Sequence, residues 1–481
     1  MRLSDHDASF LYSETASATM HGGAFSIVEG EIPFEDIIEH FESRLHLVPR
    51  YRQRLVYVPF NMAHPKWVDD PQFDIRNHVI LETVPSTMSV DDAIDHALVL
   101  AEPLMDRDKP LWKTFVIEGV PDRTILFQLG HHSMIDGASG IDISLVVFDL
   151  QPQGAQYPPP AEPWRPRPTP STAQLMTEAV QENVENLTKS ALFNPSRLAQ
   201  NSNLLERGAG IMQRMLTQPV MTAPWNAGMV APRRTLTRKR YPFAQFRDIR
   251  RTFGGTINDV VLTIVSEGAA RYLETHKEPV SNQYLRIMCP VNVRREDEAG
   301  VLGNRVSGIF PRLPAESMDI LDRLRYVQGE TTSIKSNQEA HTLELMNEFA
   351  PSIPPVAMLP TLLVGTAFDP TALAARIPPP VAPKSGYRPP MYGFNFTCTN
   401  VPGVQTAQYL LGHEILDTYG LLMLGGNLGF GVVVGSYNRN LYFSLASDPR
   451  LMPDPEFMLE VIDDAFQELM EATGTGNAVV S

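Results

Sequence analysis

Residues 123–150 read RTILFQLGHHSMIDGASGIDISLVVFDL, and the pattern changes twice within them. TILFQLG is short, apolar and rich in β-formers, which is a strand signal. It delivers the chain directly into the pair His131-His132 and a polar stretch containing Gly137. IDISLVVFDL, at 141–150, then reads as a helix. Just upstream, FVIEGV at 115–120 is a second strand, and Pro121-Asp122-Arg123 is the turn that joins the two as a hairpin. A histidine at a strand end, just before a turn, is held stiffly and can face a cleft.

Outward from this hairpin, helix and strand signals mix. Ile37, Ile38, Phe41, Leu45 and Val48 recur at helical spacing. A second helix is expected near residues 91–105, with Ala93, Ala97 and Leu100 on one side. Residues 151–172, QPQGAQYPPPAEPWRPRPTPST, are too proline-dense for a helix or central strand and read as a linker. Residues 173–217 look helical. A second mixed unit starts near Arg233 and closes with a helix over about 454–473. A single core rarely grows beyond ~250–300 residues, so two core-forming units are expected in 481. The resulting division is 1–150, a connector at 151–232, and 233–481.

Composition narrows the function classes. Forty basic against fifty-five acidic residues leave a net charge of −15, which repels nucleic-acid phosphates. Two cysteines, Cys289 and Cys398, have no metal-type spacing and suggest no disulfide framework. Asp5, His6 and Asp7 stand where a signal peptide needs an apolar run, so a reducing cytoplasm is the expected location. Residues 419–438 are uncharged but interrupted by six glycines, and read as two strands around a Gly425-Gly426-Asn427 turn. Residues 349–368 are also uncharged, but Pro351, Pro354, Pro355 and Pro360 break a spanning helix. Within them MLPTLLVGTAF, at 358–368, suits a buried helix, an apolar channel wall or a membrane surface.

His131-His132-Ser133-Met134-Ile135-Asp136-Gly137 has the form HHxxxDG. A neutral imidazole is the side chain best suited to moving a proton near neutral pH. A hydroxyl nucleophile needs such a base as it attacks. Asp136 can fold back across the turn to orient the loop or to pair with a distant arginine, and Gly137 leaves room for close approach. Two other readings stand beside this one. The histidines could bind a metal, although no nearby Cys, Glu or third His completes a set, or they could be structural.

HHxxxDG resembles the signature of a superfamily of CoA-dependent acyltransferases, which includes chloramphenicol acetyltransferase and peptide-synthetase condensation domains. Further segments resemble the wax ester synthase/diacylglycerol acyltransferase family in its own order. They are Met20-His21-Gly22-Gly23, Pro103-Leu104 with Arg107, Pro110-Leu111-Trp112, residues 255–262 (GTINDVVL), 289–294 (CPVNVR), 302–307 (LGNRVS), 399–403 (TNVPG) and Ser436-Tyr437. Asn292 stands where that family often has serine, and the tract before Ser436 departs from its usual run.

The resemblance implies an α/β fold: two chloramphenicol-acetyltransferase-like mixed-sheet units, a helical connector and an interfacial tunnel. It implies that His132 is the base and that Asp136 pairs with an arginine, here Arg294; His131 is grouped with the catalytic residues, although taken alone it reads as structural. Asn258 is either a hydrogen-bond donor to substrate or oxyanion, or a helix cap together with Thr256. Asp259 is expected to be structural. No tightly bound cofactor and no metal are implied, and coenzyme A enters as part of the acyl-CoA substrate. The acceptor would be a long-chain alcohol or diacylglycerol, met at a peripheral membrane or lipid-droplet surface. The basic run Arg233, Arg234, Arg238, Lys239 and Arg240 either meets CoA phosphates or anionic lipid, or is an ordinary solvated face. Rival functions are transfer to a polyketide or glycolipid hydroxyl or to an amine, and a non-catalytic acyl-CoA- or lipid-binding paralogue.

Overall fold

The computed structural model describes residues 1–134, 144, 146–155, 157–189, 202–292, 306–349 and 393–474. Asp136, Gly137, Arg294 and the 358–368 segment lie outside them.

In the N-terminal part the elements are α1 (Asp5–Ser13), β1 (His21–Glu29), α2 (Phe34–Arg44), β2 (Gln53–Val56), β3 (Lys66–Asp69), β4 (Val79–Thr83), α3 (Val90–Ala97), β5 (Trp112–Glu118) and β6 (Arg123–His131). The expected hairpin is present as β5 and β6, antiparallel, with Asp122 at φ 55° in its turn. The helix expected over 91–105 is shorter, because the chain tightens into a 3-10 turn at Leu98–Ala101.

The connector holds α4 (Thr172–Lys189) and α5 (Ser202–Thr217). The rest contributes β7 (Thr235–Pro242), α6 (Phe243–Phe253), α7 (Ile257–Thr275), β8 (Tyr284–Asn292), β9 (Val306–Ile309), β10 (Arg312–Pro314), α8 (Ile320–Ser336), α9 (Glu339–Phe349), β11 (Phe396–Val401), β12 (Tyr409–Leu410), β13 (His413–Leu421), β14 (Phe430–Tyr437), β15 (Asn440–Ser447) and α10 (Pro455–Ala472).

Two mixed sheets result, as the expected fold class requires. One runs β12-β13-β1-β6-β5-β4, and the other β10-β8-β11-β14-β15-β7 with β9 on β8. Residues 409–421 thus belong by sequence to the second half and by hydrogen bonding to the first sheet. The Gly425-Gly426-Asn427 turn does separate two strands, but β13 pairs with β1 while β14 pairs with β11 and β15. The turn carries the chain from one sheet to the other.

β15 explains how the two cores meet. In NLYFSLAS every residue after the first is buried, as in a strand covered on both faces. Alternate side chains point to opposite faces. Leu441, Phe443 and Leu445 enter the second core, while Tyr442 and Ala446 enter the first. Behind the second sheet, α7 packs on α10, and a Cβ on Gly268 would fall 2.4 Å from Ile462. On α7, Glu267 forms a fully buried ion pair with Arg323 of α8 at 2.8 Å.

Candidate active site

β6 ends at His131, and two neighbouring segments converge on that end. β1 lies antiparallel beside it, so His21 stands opposite His131. Close approach is possible because position 23 is glycine; a Cβ there would lie 2.0 Å from the Gln128 carbonyl oxygen. The His131 N–H donates to the Leu111 carbonyl at 2.9 Å, and the His132 N–H to the Met20 carbonyl at 2.8 Å. The Met-His and Pro-Leu-Trp segments therefore sit directly against the histidine pair.

The two histidines have different surroundings. His131 is fully buried. Its Nδ1 accepts the Ser133 N–H at 3.1 Å, so the ring proton belongs on Nε2, which faces Glu14 Oε1 at 3.4 Å. His132 is half-buried, and the Phe10 ring stacks on it at 4.3 Å between centroids and 25° between planes. Phe10 packs in turn against a small apolar cluster of Ala18, Met20, Val230 and Leu424, drawn from both halves of the chain. His131 has the environment of a braced support, and His132 that of a side chain at the edge of an apolar space.

The sequence reading did not single out Glu14. Its side chain is 1% exposed. Burial alone would raise its carboxyl, but His131, the Met20 N–H at 3.0 Å and Arg107 at 2.9 Å overcome that and hold it at about 2. Arg107 also donates to the Leu11 carbonyl at 2.8 Å. No periodicity marks a buried carboxylate. The available signals were its place shortly before Met20-His21 and the presence of Arg107 ahead of Pro110-Leu111-Trp112.

Asn258 and Asp259 lie at the start of α7. Thr256 is the N-cap and accepts the Asp259 N–H, while Asp259 Oδ2 accepts the Thr256 N–H at 2.7 Å, a complete capping box. Asp259 Oδ1 also accepts from the Thr331 hydroxyl at 2.8 Å, tying α7 to α8. The cap is thus Thr256 and not Asn258, whose half-buried amide is left for another partner. Of the family-like segments farther on, residues 399–403 meet Ser436-Tyr437 through the Gly403 N–H, which donates to Ser436 Oγ at 2.8 Å. Asp136, Gly137 and Arg294 fall outside the described residues, and so does their pairing.

The basic run is committed internally. Arg233 pairs with Glu102 at 3.2 Å, Arg238 with Asp91 and Asp95, Lys239 with Asp463 at 2.6 Å, and Arg240 with Asp417 at 2.7 Å. Arg234 is buried and donates to the Leu424 carbonyl at 3.2 Å. A cleft of about 570 Å³ beside the run is lined by four of these cations and six carboxylates, and is acidic on balance. Among the described residues, no group of three His, Cys, Asp or Glu is placed to hold a metal ion, and no helix is long and apolar enough to cross a membrane.

Comparison with known proteins bears on the fold and the family. A solved wax ester synthase/diacylglycerol acyltransferase from Marinobacter aquaeolei superposes with a TM-score of 0.65 at 19% identity, covering 98% of this chain and all of that one. A starter condensation domain of rhizomide synthetase, solved with C8-CoA and Leu-SNAC, gives 0.59 at 14% identity over 98% of this chain and 94% of its own. At those identities the likeness is one of fold. A probable diacylglycerol O-acyltransferase of Mycobacterium tuberculosis is 27% identical over 97% of this chain and 95% of its own length. A second, putative one from the same organism is 32% identical over 67% of this chain and 70% of its own. The wax ester synthase/diacylglycerol acyltransferase catalytic-domain model matches residues 3–261, and the C-terminal-domain model of the same family matches 302–470. A histidine pair braced at a strand end, on this fold and with both family domains in order, means that the chain belongs to the wax ester synthase/diacylglycerol acyltransferase family.

Proposed function

We propose that the chain is an acyl-CoA-dependent O-acyltransferase that moves a fatty acyl group to a long-chain alcohol or a diacylglycerol, with His132 as general base. His132 takes the hydroxyl proton as the oxygen attacks the thioester carbonyl. The tetrahedral oxyanion collapses, the carbon–sulfur bond breaks, and the proton passes from His132 to the departing CoA thiolate. Acyl-CoA is thus consumed as co-substrate, and coenzyme A leaves as the free thiol. Asn258 is a candidate oxyanion donor, and Asp136, paired with Arg294 beside Gly137, holds the loop after the histidines. Acyl-CoA and acceptor enter an interfacial tunnel from opposite sides, and the lipid products place the enzyme at a membrane or droplet surface.

The observation that carries this reading is the contrast between the histidines: His131 buried and bonded, His132 half-buried under Phe10, which itself packs on apolar side chains from both halves. The test is thiol release from palmitoyl-CoA with hexadecanol or dipalmitoylglycerol as acceptor. Acceptor-dependent release with an ester product is expected, and acceptor-independent binding without turnover would overturn it. For the loop, Asp136→Asn and Arg294→Gln should each cost about 3–5 kcal/mol if they part a buried pair. The double variant should then lose less than the two singles together; strict additivity in unfolding free energy would separate the residues.

A further inference from the structure

One short stretch of chain touches both histidines. Phe10 and Leu11 lie on α1, and Glu14 is its C-cap. Glu14 Oε1 faces His131 Nε2 and also accepts the Met20 N–H, and the Met20 carbonyl in turn accepts the His132 N–H. Glu14 Oε2 and the Leu11 carbonyl are both held by Arg107. One turn earlier, Phe10 lies flat on the His132 ring.

The geometry points to Glu14 and Phe10 as positioning residues for the catalytic base: Glu14 fixes the backbone that carries His132, and Phe10 fixes the plane of its ring. The lone pair that accepts a proton lies in the imidazole plane. A ring stacked on the face leaves that lone pair open while excluding water from the face, so an acceptor hydroxyl must arrive edge-on. Glu14 works at one remove, through His131 and Met20, and its buried charge is balanced by Arg107. Small displacements of a base are costly, since about 1 Å can lose two orders of magnitude in rate. The inference rests on the reading of His132 as the base.

The test uses the full chain with Phe10→Leu, Phe10→Trp, Glu14→Gln and Glu14→Asp. Two readouts are needed: kcat and KM against pH by thiol release, and the rate at which diethylpyrocarbonate modifies His132, followed by peptide mass spectrometry without substrate. Phe10→Leu should raise the His132 modification rate severalfold and lower kcat about tenfold or more, with KM for acyl-CoA little changed. Phe10→Trp should restore both. Glu14→Gln should lower kcat and move its acidic limb, and Glu14→Asp should recover part of the loss. Unchanged His132 modification in both Phe10→Leu and Glu14→Gln, in chains that still melt cooperatively, would overturn the positioning role. Absence of turnover in the wild type would instead overturn His132 as base, while the modification rates would still decide whether α1 holds its ring.

Discussion

At the scale of single residues, the adjacent histidines are expected to separate in function. His132→Ala should lower turnover by a factor of about 10²–10⁴, the usual contribution of a general base, and leave the melting transition in place. His131→Ala removes a fully buried ring and leaves the Glu14 carboxylate short of one partner, so its first effect should be on stability. Measuring kcat and the urea midpoint for both variants distinguishes them; a near-native rate for His132→Ala would remove it from the mechanism. The pair itself was legible in the sequence, because HHxxxDG follows a strand and a turn. Glu14 was not, because it reaches His131 through folding and not through spacing. Phe10 escaped for the same reason: an aromatic on a short helix looks like any core residue until its neighbour is seen.

At the scale of elements, local signals held where local physics decides. The β5–β6 hairpin and α10 stand where the turn residues and apolar periods put them, while α2 holds Ile37, Ile38 and Phe41 but gives way to a 3-10 turn at Leu45. The partner of β13 was not readable, because a strand's alternation says which face is buried but not which neighbour it joins. Its place beside β1 emerges only once the second sheet is filled by β14, β15 and β7. The capping of α7 is settled at this scale too. Thr256→Ala should destabilise by about 0.5–2 kcal/mol through loss of the N-cap. Asn258→Ala, one turn-position away and outside the cap, should barely move the unfolding midpoint. If its amide meets the oxyanion, the same change should lower kcat by about 10²–10³ with KM little altered. A loss of stability without a loss of rate would return Asn258 to a structural role.

At the scale of the whole molecule, three buried histidines make stability depend on pH. His21, His40 and His78 are each held below the ordinary imidazole value, first by burial, against the opposing pull of a carbonyl acceptor. Those acceptors are Ala101, Val147 and Trp112, so each ring is a neutral donor. In the unfolded chain the rings regain a value near 6.5. The stability they contribute is complete above that pH and is lost as the pH falls below it, where the unfolded state binds more protons. The slope can reach about 1.4 kcal/mol per pH unit for each ring. The urea midpoint should therefore fall between roughly pH 7.5 and 5.5, ahead of carboxylate titration. A flat midpoint across that window would mean that the rings bind protons equally in both states.

The route to lipid belongs to the same scale, and the structure changes what to expect of it. Each basic residue free to face an anionic bilayer adds about 1 kcal/mol, and anionic lipid is one of the readings open to the run from Arg233 to Arg240. Instead its side chains are engaged within the molecule: Arg233 reaches Glu102 and Arg238 reaches α3 in the first half, and Arg240 reaches β13 of the first sheet. The cleft beside them carries more carboxylates than cations. Moving these arginines to a membrane would break the bridges and bring Asp91, Asp95 and Glu456 toward anionic headgroups, where like charges repel. Binding is therefore expected to rest on apolar contact, for which residues 358–368 are the sequence candidate at roughly 25 cal/mol per Å² buried. Co-sedimentation with phosphatidylglycerol-containing liposomes should change little between about 0.05 and 0.5 M salt, a range over which surface electrostatics are strongly screened. Leu362→Glu with Leu363→Glu should weaken it. Binding that collapses with salt would mean that the bridges open at the bilayer and that the basic run, not the apolar segment, is the membrane-facing surface.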